Sequence, residues 1–176
     1  MSRPFILTAT IPEPVNSWAE GLRQEHFPPE RNHLHAHVTL FHAFAPSLRE
    51  ELASYLPQAV AEYAPPKGRI TGLINFGKGT AIRLEAPELK AIRAQIAERF
   101  HGSLTEQDLH EPRLHITVQN KVSKEEAREL QAALEPKLAP WIERGAFAFP
   151  GLELHLYEGG PWTKLRDLPF RGKARP

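Results

Sequence analysis

The sequence predicts an α+β fold made of two related lobes, and three observations carry that expectation. Short runs with alternating apolar and polar residues, the mark of half-buried strands, take turns with longer segments whose apolar residues recur every three or four positions, the mark of amphipathic helices. One strand–turn–helix unit occurs twice. Proline, at 17 of 176 residues, falls mostly between these segments, where its fixed φ and missing N–H suit turns and element ends. At roughly 150 residues per domain, the length predicts a single domain over residues 1–176 with two intertwined lobes. The 41% of hydrophobic residues suffices for a core.

In chain order, residues 5–11 read as a strand and residues 15–26 as a helix around Trp18 and Leu22. Residues 34–41 read as a second strand. The next helix is predicted to start at Ser47, with Leu48, Leu52 and Leu56 at fourfold spacing, and Pro57 is expected to end or kink it before Val60. Residues 69–76 and 80–84 suggest a hairpin around Gly77 and Gly79, and Leu89, Ile92, Ile96 and Phe100 mark the stripe of another helix. After a loop come a strand over 114–118, a helix over 123–138, and strand-like segments at 146–149, 152–157 and 162–170. The basic end, with Lys164, Arg166, Arg171, Lys173 and Arg175 against a lone Asp167, reads as solvated surface.

The duplication carries the functional reading. His37-Val38-Thr39-Leu40 is followed after a short turn by Ser47-Leu48-Arg49-Glu50, a capping box in which hydroxyl and carboxylate each satisfy a free backbone N–H. The same order returns as His115-Ile116-Thr117-Val118 and then Ser123-Lys124-Glu125-Glu126. Strand residues two apart share a face, so His37 points with Thr39 and His115 with Thr117, while Val38, Leu40, Ile116 and Val118 point into the core. With 9 His and 8 Thr in 176 residues, His-x-Thr arises by chance roughly 0.4 times, and the apolar second and fourth positions reduce that to roughly 0.07. Two such tetrapeptides, each leading into a helix start, point to a duplicated site.

Two imidazoles and two hydroxyls suit phosphodiester cleavage without a metal. An imidazole titrates near pH 6.5, so one copy takes a proton from an attacking water while the other donates to the leaving oxygen. The hydroxyls hydrogen-bond the non-bridging oxygens and hold phosphorus between the rings.

On these motifs the chain resembles the two-histidine (2H) phosphoesterase superfamily. The stretches His26-Phe27-Pro28, Ala36-His37-Val38-Thr39-Leu40-Phe41-His42, residues 113–122 and Tyr157-Glu158-Gly159-Gly160-Pro161-Trp162 resemble its bacterial 2'-5' RNA ligase-like branch. Leu114 departs from the pattern, since that branch often has proline before the second histidine. The resemblance implies a bilobed α+β fold, with two antiparallel sheets facing each other across a central cleft and helices outside. It also implies hydrolysis of a 2',3'-cyclic phosphate at an RNA or nucleotide end to a 2'-phosphate, with reversible 2'-5' ligation in some relatives. By motif position His37, Thr39, His115 and Thr117 form the catalytic set, with His37 as the acid for the leaving 3'-oxygen and His115 as the base for water.

Neighbouring residues are candidates for substrate contacts: Gln119 and Lys121 if the strand of His115 continues, Phe41 on the face of His37 as a stacking platform, and Tyr157 and Trp162 flanking a Gly-Gly-Pro turn. His26, His101, His110 and His155 lack motif context and read as surface or locally bonded residues. Two rival functions remain. His33, His35 and His37 at i, i+2 and i+4 on one strand face would be a zinc-like ligand set for a hydrolase. A nucleotide- or RNA-binding module without turnover would use the same cleft. Zero cysteines exclude thiol nucleophiles and thiolate metal sites. A formal charge of +1 argues against coating long nucleic acid, so the expected partner is a single RNA end or small nucleotide with a 2',3'-cyclic phosphate. No cofactor, membrane or obligate protein partner is expected, and the reading is a cytoplasmic monomer.

Overall fold

The computed structural model describes residues 3–173, so Arg175 of the basic end lies outside the described residues. The chain runs β1 (Phe5–Ala9), α1 (Val15–His26), β2 (Val38–Phe44), α2 (Arg49–Ala61), β3 (Lys67–Asn75), β4 (Thr80–Glu85), α3 (Pro87–Arg99), α4 (Glu106–Leu109), β5 (His115–Gln119), α5 (Lys124–Leu134), α6 (Ala139–Glu143), β6 (Phe147–Ala148), β7 (Gly151–Tyr157) and β8 (Trp162–Pro169). The strands form two four-stranded sheets, ordered β2-β1-β7-β8 and β5-β4-β3-β6, and every pairing is antiparallel. Both ends of the chain therefore build one sheet and its middle builds the other. The two histidine motifs lie at sheet edges, His37 just before β2 and His115 at the start of β5, and these two edges touch.

Helices cover the sheets, and two of them, α1 and α4, cross to the other sheet. Helix α1 comes from the segment between β1 and β2 yet packs on β5 of the other sheet, and Trp18 stacks on Trp141 of α6 with ring centroids 4.3 Å apart. Helix α2 packs on β8 and α3 on β3. The alternation read from the sequence holds: Val38, Leu40, Ile116 and Val118 are fully buried.

Local chemistry accounts for the elements that depart from expectation. The second strand starts at Val38 rather than residue 34, because side chains take up the backbone before it: the Ala36 N–H donates to the Glu20 carboxylate, and the His35 carbonyl accepts from the His37 ring. Helix α2 starts at Arg49, since a 3-10 turn over Pro46–Leu48 absorbs Ser47, and the first capping box does not form. In the second, Ser123 Oγ accepts from the Glu126 N–H at 3.1 Å. Pro57 lies inside α2 without ending it, because buried Leu52, Leu56 and Val60 hold the turns on both sides of it; burial of each contributes ~1.5–3 kcal/mol, against ~3 kcal/mol for an interior proline. The helix expected over 123–138 stops at Leu134, where Pro136 turns the chain through a 3-10 segment into α6.

One irregularity is itself duplicated. Thr39 pairs with Thr8 but Phe41 pairs with Leu7, so Leu40 is an extra residue in β2; Thr117 pairs with Ala81 but Gln119 with Thr80, so Val118 is an extra residue in β5. A bulge of this kind turns two successive side chains to one face. Leu40 with Phe41, and Val118 with Gln119, accordingly all point into the core.

Candidate active site

The two motifs hold their imidazoles in the same way. His37 Nδ1 lies 2.7 Å from the His35 carbonyl, and His115 Nδ1 lies 2.6 Å from the Arg113 carbonyl, the same two-residue step back in each copy. A carbonyl only accepts, so each ring carries its proton on Nδ1 and leaves Nε2 free, as a base when neutral and as a donor when charged. Both rings and both threonines, Thr39 and Thr117, are half-buried, neither sealed off nor fully wet. The edges of β2 and β5 that carry the two motifs touch, and charge on His115 acts on His37.

Both imidazoles resist protonation in the free protein. Burial pushes His37 down to about 4; the bond to the His35 carbonyl works against this, while positive charge on Arg23, His155 and His115 adds to it. Burial also lowers His115, opposed by the Arg113 carbonyl and reinforced by charge on His42 and Arg113. An anion placed near either ring would favour its imidazolium form, against the effect of burial.

Beside His37 opens a cavity of about 610 Å³, walled by Trp162, His155, Glu20, Glu153 and Lys164 among others. Trp162 tilts over His37 with ring centroids 4.7 Å apart and lies 5.3 Å from His155. His155, far from either motif in sequence, faces this cavity because β7 pairs with β1, and its Nε2 is 3.0 Å from Thr8 Oγ1.

The structure corrects several expected substrate contacts. Phe41 is completely buried, packed 4.7 Å from Phe44 and beneath the Arg93 guanidinium, so it offers no face to a base. Gln119 is buried and its Oε1 accepts from Thr80 Oγ1 at 3.1 Å. The duplicated bulges turn both inward. The strand ends before Lys121, which takes φ 59° in a turn whose N–H donates to Asn120 Oδ1, so it does not share the face of His115 by alternation. Tyr157 is 38% exposed and lies outside the cavity wall that holds Trp162.

Three further residues escaped the sequence reading. Arg23, 2% exposed, donates through Nη1 to the Thr117 carbonyl at 2.8 Å and through Nη2 to Asn32 Oδ1 at 3.0 Å, tying α1 to the second motif. The bulge in β2 flips His42, rather than Phe41, away from the core, and its Nδ1 meets buried Asp108 at 3.3 Å. Phe76 stands edge-on to His115 at 5.3 Å.

A family model described as the 2'-5' RNA ligase superfamily matches residues 11–160. The chain belongs to that superfamily. Among solved structures, TT0787 of Thermus thermophilus has the same fold at TM-score 0.65 and 16% identity, with 97% of this chain and 100% of that one covered. LigT of E. coli in complex with 3'-AMP matches at TM-score 0.53 and 16% identity over 97% of this chain and 99% of that one. LigT with ATP matches at 0.59 and 16%, over 96% and 97%. No match was found among curated protein sequences.

The rival zinc reading fails within this superfamily member's own geometry. His33, His35 and His37 precede β2 rather than sharing a strand face, His35 is almost fully exposed beside Glu20, and His37 Nδ1 is occupied by a carbonyl. Among the described residues no three His, Asp or Glu side chains gather into a metal-binding group. No helix among them is long and apolar enough to cross a membrane.

Proposed function

We propose that this protein is a metal-independent phosphoesterase that opens 2',3'-cyclic phosphates at RNA or nucleotide ends to 2'-phosphates, with 2'-5' ligation as the reverse of the related transfer. The observation that supports it most is the matched pair of imidazoles, each with Nδ1 fixed on a backbone carbonyl and Nε2 left for the cleft. Water attacks phosphorus as one Nε2 takes its proton, the P–O3' bond breaks, and the other Nε2–H protonates O3'. Thr39 and Thr117 hold the non-bridging oxygens. The nucleotides in the LigT complexes, 3'-AMP and ATP, are in keeping with a nucleotide substrate.

The cavity bears on which ring does what. Attack must come opposite the leaving oxygen, so the nucleoside lies on the acid's side and water on the base's side. The roomy cavity adjoins His37, which supports His37 as the acid and His115 as the base. Because His37 is held at about 4 in the free protein, its proton arrives with the anionic substrate. A cyclic phosphorothiolate with sulfur at the 3' bridging position tests this: thiolate leaves without a proton, so His37→Ala should regain most of its lost rate on this substrate and His115→Ala should not. Rescue of His115→Ala instead reverses the assignment.

The pH profile follows from the same shifts. Activity needs one charged and one neutral ring; both are depressed in the free protein, so kcat/KM should peak below pH 6.5, the ordinary imidazole value, and fall as pH rises. Bound phosphate favours imidazolium, so the kcat profile should lie at higher pH than the kcat/KM profile. Coincident profiles with an alkaline limb above about pH 7.5 contradict the shifts.

Turnover of a panel of cyclic-phosphate-ended and 2'-5'-linked oligonucleotides in EDTA tests the reading as a whole. Hydrolysis of cyclic ends is the expected result, whereas binding without turnover, or activity abolished by EDTA, overturns it.

A further inference from the structure

We propose that the His115 side of the cleft is a second nucleotide subsite, built from Phe76 and the Asp108-anchored ring of His42, which seats the nucleotide bonded to phosphorus through its 5'-oxygen. The proposal rests on the two-imidazole reading above. Phe76, in the turn between β3 and β4, is a large aromatic left 39% exposed, and it stands edge-on to His115 with centroids 5.3 Å apart and planes at 71°. His42 reaches the cleft face through the β2 bulge, and its side chain is 42% exposed although one nitrogen is anchored on a carboxylate that is 1% exposed. Its Nδ1 lies 3.3 Å from Asp108 Oδ1, and since an ionised carboxylate only accepts, Nδ1 carries the proton and Nε2 is left over. His42 lies on β2, whose edge touches β5, the strand of His115, and charge on His42 acts on His115.

The two ends of the cleft differ in their lining. At the His115 end the charge of Arg113 acts on the ring that stands against the exposed aromatic, whereas the cavity at the His37 end presents the carboxylates of Glu20 and Glu153, with Lys164 3.5 Å from the latter and the charge of Arg23 acting on His37. An additional phosphate is attracted to the first end, and a base stacks there on Phe76. The chemistry places the same group at the same end. In cleavage of a 2'-5' linkage the adjacent 3'-hydroxyl attacks phosphorus, its proton passes to His37, the P–O5' bond breaks, and O5' takes a proton from His115. The products are a 2',3'-cyclic phosphate and a 5'-hydroxyl, with no further reactant. The 5'-nucleotide thus occupies the place that water takes in hydrolysis, next to His115, Phe76 and His42.

Three substrates separate this from the parent reading: 2',3'-cyclic AMP, 2'-5'-linked ApA, and the same dinucleotide with a 3'-terminal phosphate. For each variant the readout is the ratio of kcat/KM on a dinucleotide to that on cyclic AMP, which divides out effects on shared machinery. His42→Asn keeps a donor for Asp108 but lacks Nε2, and should lower the ratio for the 3'-phosphorylated dinucleotide about tenfold; His42→Gln, whose amide nitrogen reaches the Nε2 position, should restore most of it. Phe76→Leu should lower the ratio for both dinucleotides about tenfold. Ratios within twofold of the parent protein for His42→Asn and Phe76→Leu overturn the subsite. Failure of the unaltered protein on cyclic AMP overturns the parent reading instead, and turnover of cyclic AMP with no cleavage of either dinucleotide overturns this inference alone.

Discussion

Replacing His37 or His115 by alanine should each lower kcat/KM on a 2',3'-cyclic nucleotide by 10²–10⁴-fold, the usual range for loss of a general acid or base. The double variant should fall little further, because the rings act on one transition state and neither works alone. Folding should survive, since each ring is half-buried and each bonds only a carbonyl at the edge of its sheet. Steady-state kinetics with a thermal melt as the folding control decides the point: near-normal rates in either single variant would remove that residue from the chemistry. Thr39→Val and Thr117→Val provide a milder comparison, because they keep the shape and delete the hydroxyl.

The largest expected loss of stability lies away from both motifs, at Asp108. Its carboxylate, buried between α4 and β2, accepts from the His42 N–H at 2.9 and 3.0 Å, from the Ala43 N–H at 3.0 Å and from His42 Nδ1. Burial alone would push this carboxyl up, yet the hydrogen bonds from His42 and Ala43 hold it below the usual range. Its backbone carbonyl accepts from buried Arg93, which also reaches the Leu40 carbonyl at 3.1 Å. Asp108→Ala strands two backbone donors, at ~1–3 kcal/mol each, and removes one of the two carboxylates, with Glu111, whose charge acts on buried Arg93. The two donors alone come to about 2–6 kcal/mol, which for a chain of this length lowers Tm by roughly 4–24 °C. Asp108→Asn, whose amide oxygen still accepts, should fall between the two. A shift of less than about 3 °C for Asp108→Ala would show that the network holds little of the fold.

Asp108 also shows why part of the site was hidden in the sequence. The pairs His37 with Thr39 and His115 with Thr117 were legible because the period of a strand is local: residues two apart share a face whatever the strand pairs with. What failed was extrapolation past the threonines. A bulge is a mismatch between two strands, and neither Leu40 nor Val118 shows from its own sequence that its partner skips a residue. Alternation alone therefore puts Phe41 and Gln119 in the cleft, whereas both belong to the core, and it gives no sign of His42. Arg23 and His155 were hidden for a different reason. Each reaches the site by a long-range pairing, α1 against β5 and β7 against β1, that no spacing along the chain announces. The α+β alternation and the zinc-like histidine run had opposite outcomes on the same grounds: the former needed only local periodicity, while the latter assumed a strand over residues 33–37 that the Glu20 carboxylate and the His35 carbonyl replace.

Nitrogen NMR of the labelled imidazoles, before and after addition of a nucleoside 2'-phosphate, measures most directly whether both rings serve one phosphate. At pH 7 without ligand, His37 and His115 should both appear as neutral Nδ1–H tautomers with a bare Nε2, and the ligand should shift both Nε2 signals together as one ring takes up a proton. A response confined to a single ring, or either ring found with its proton on Nε2 in the free protein, would contradict the account.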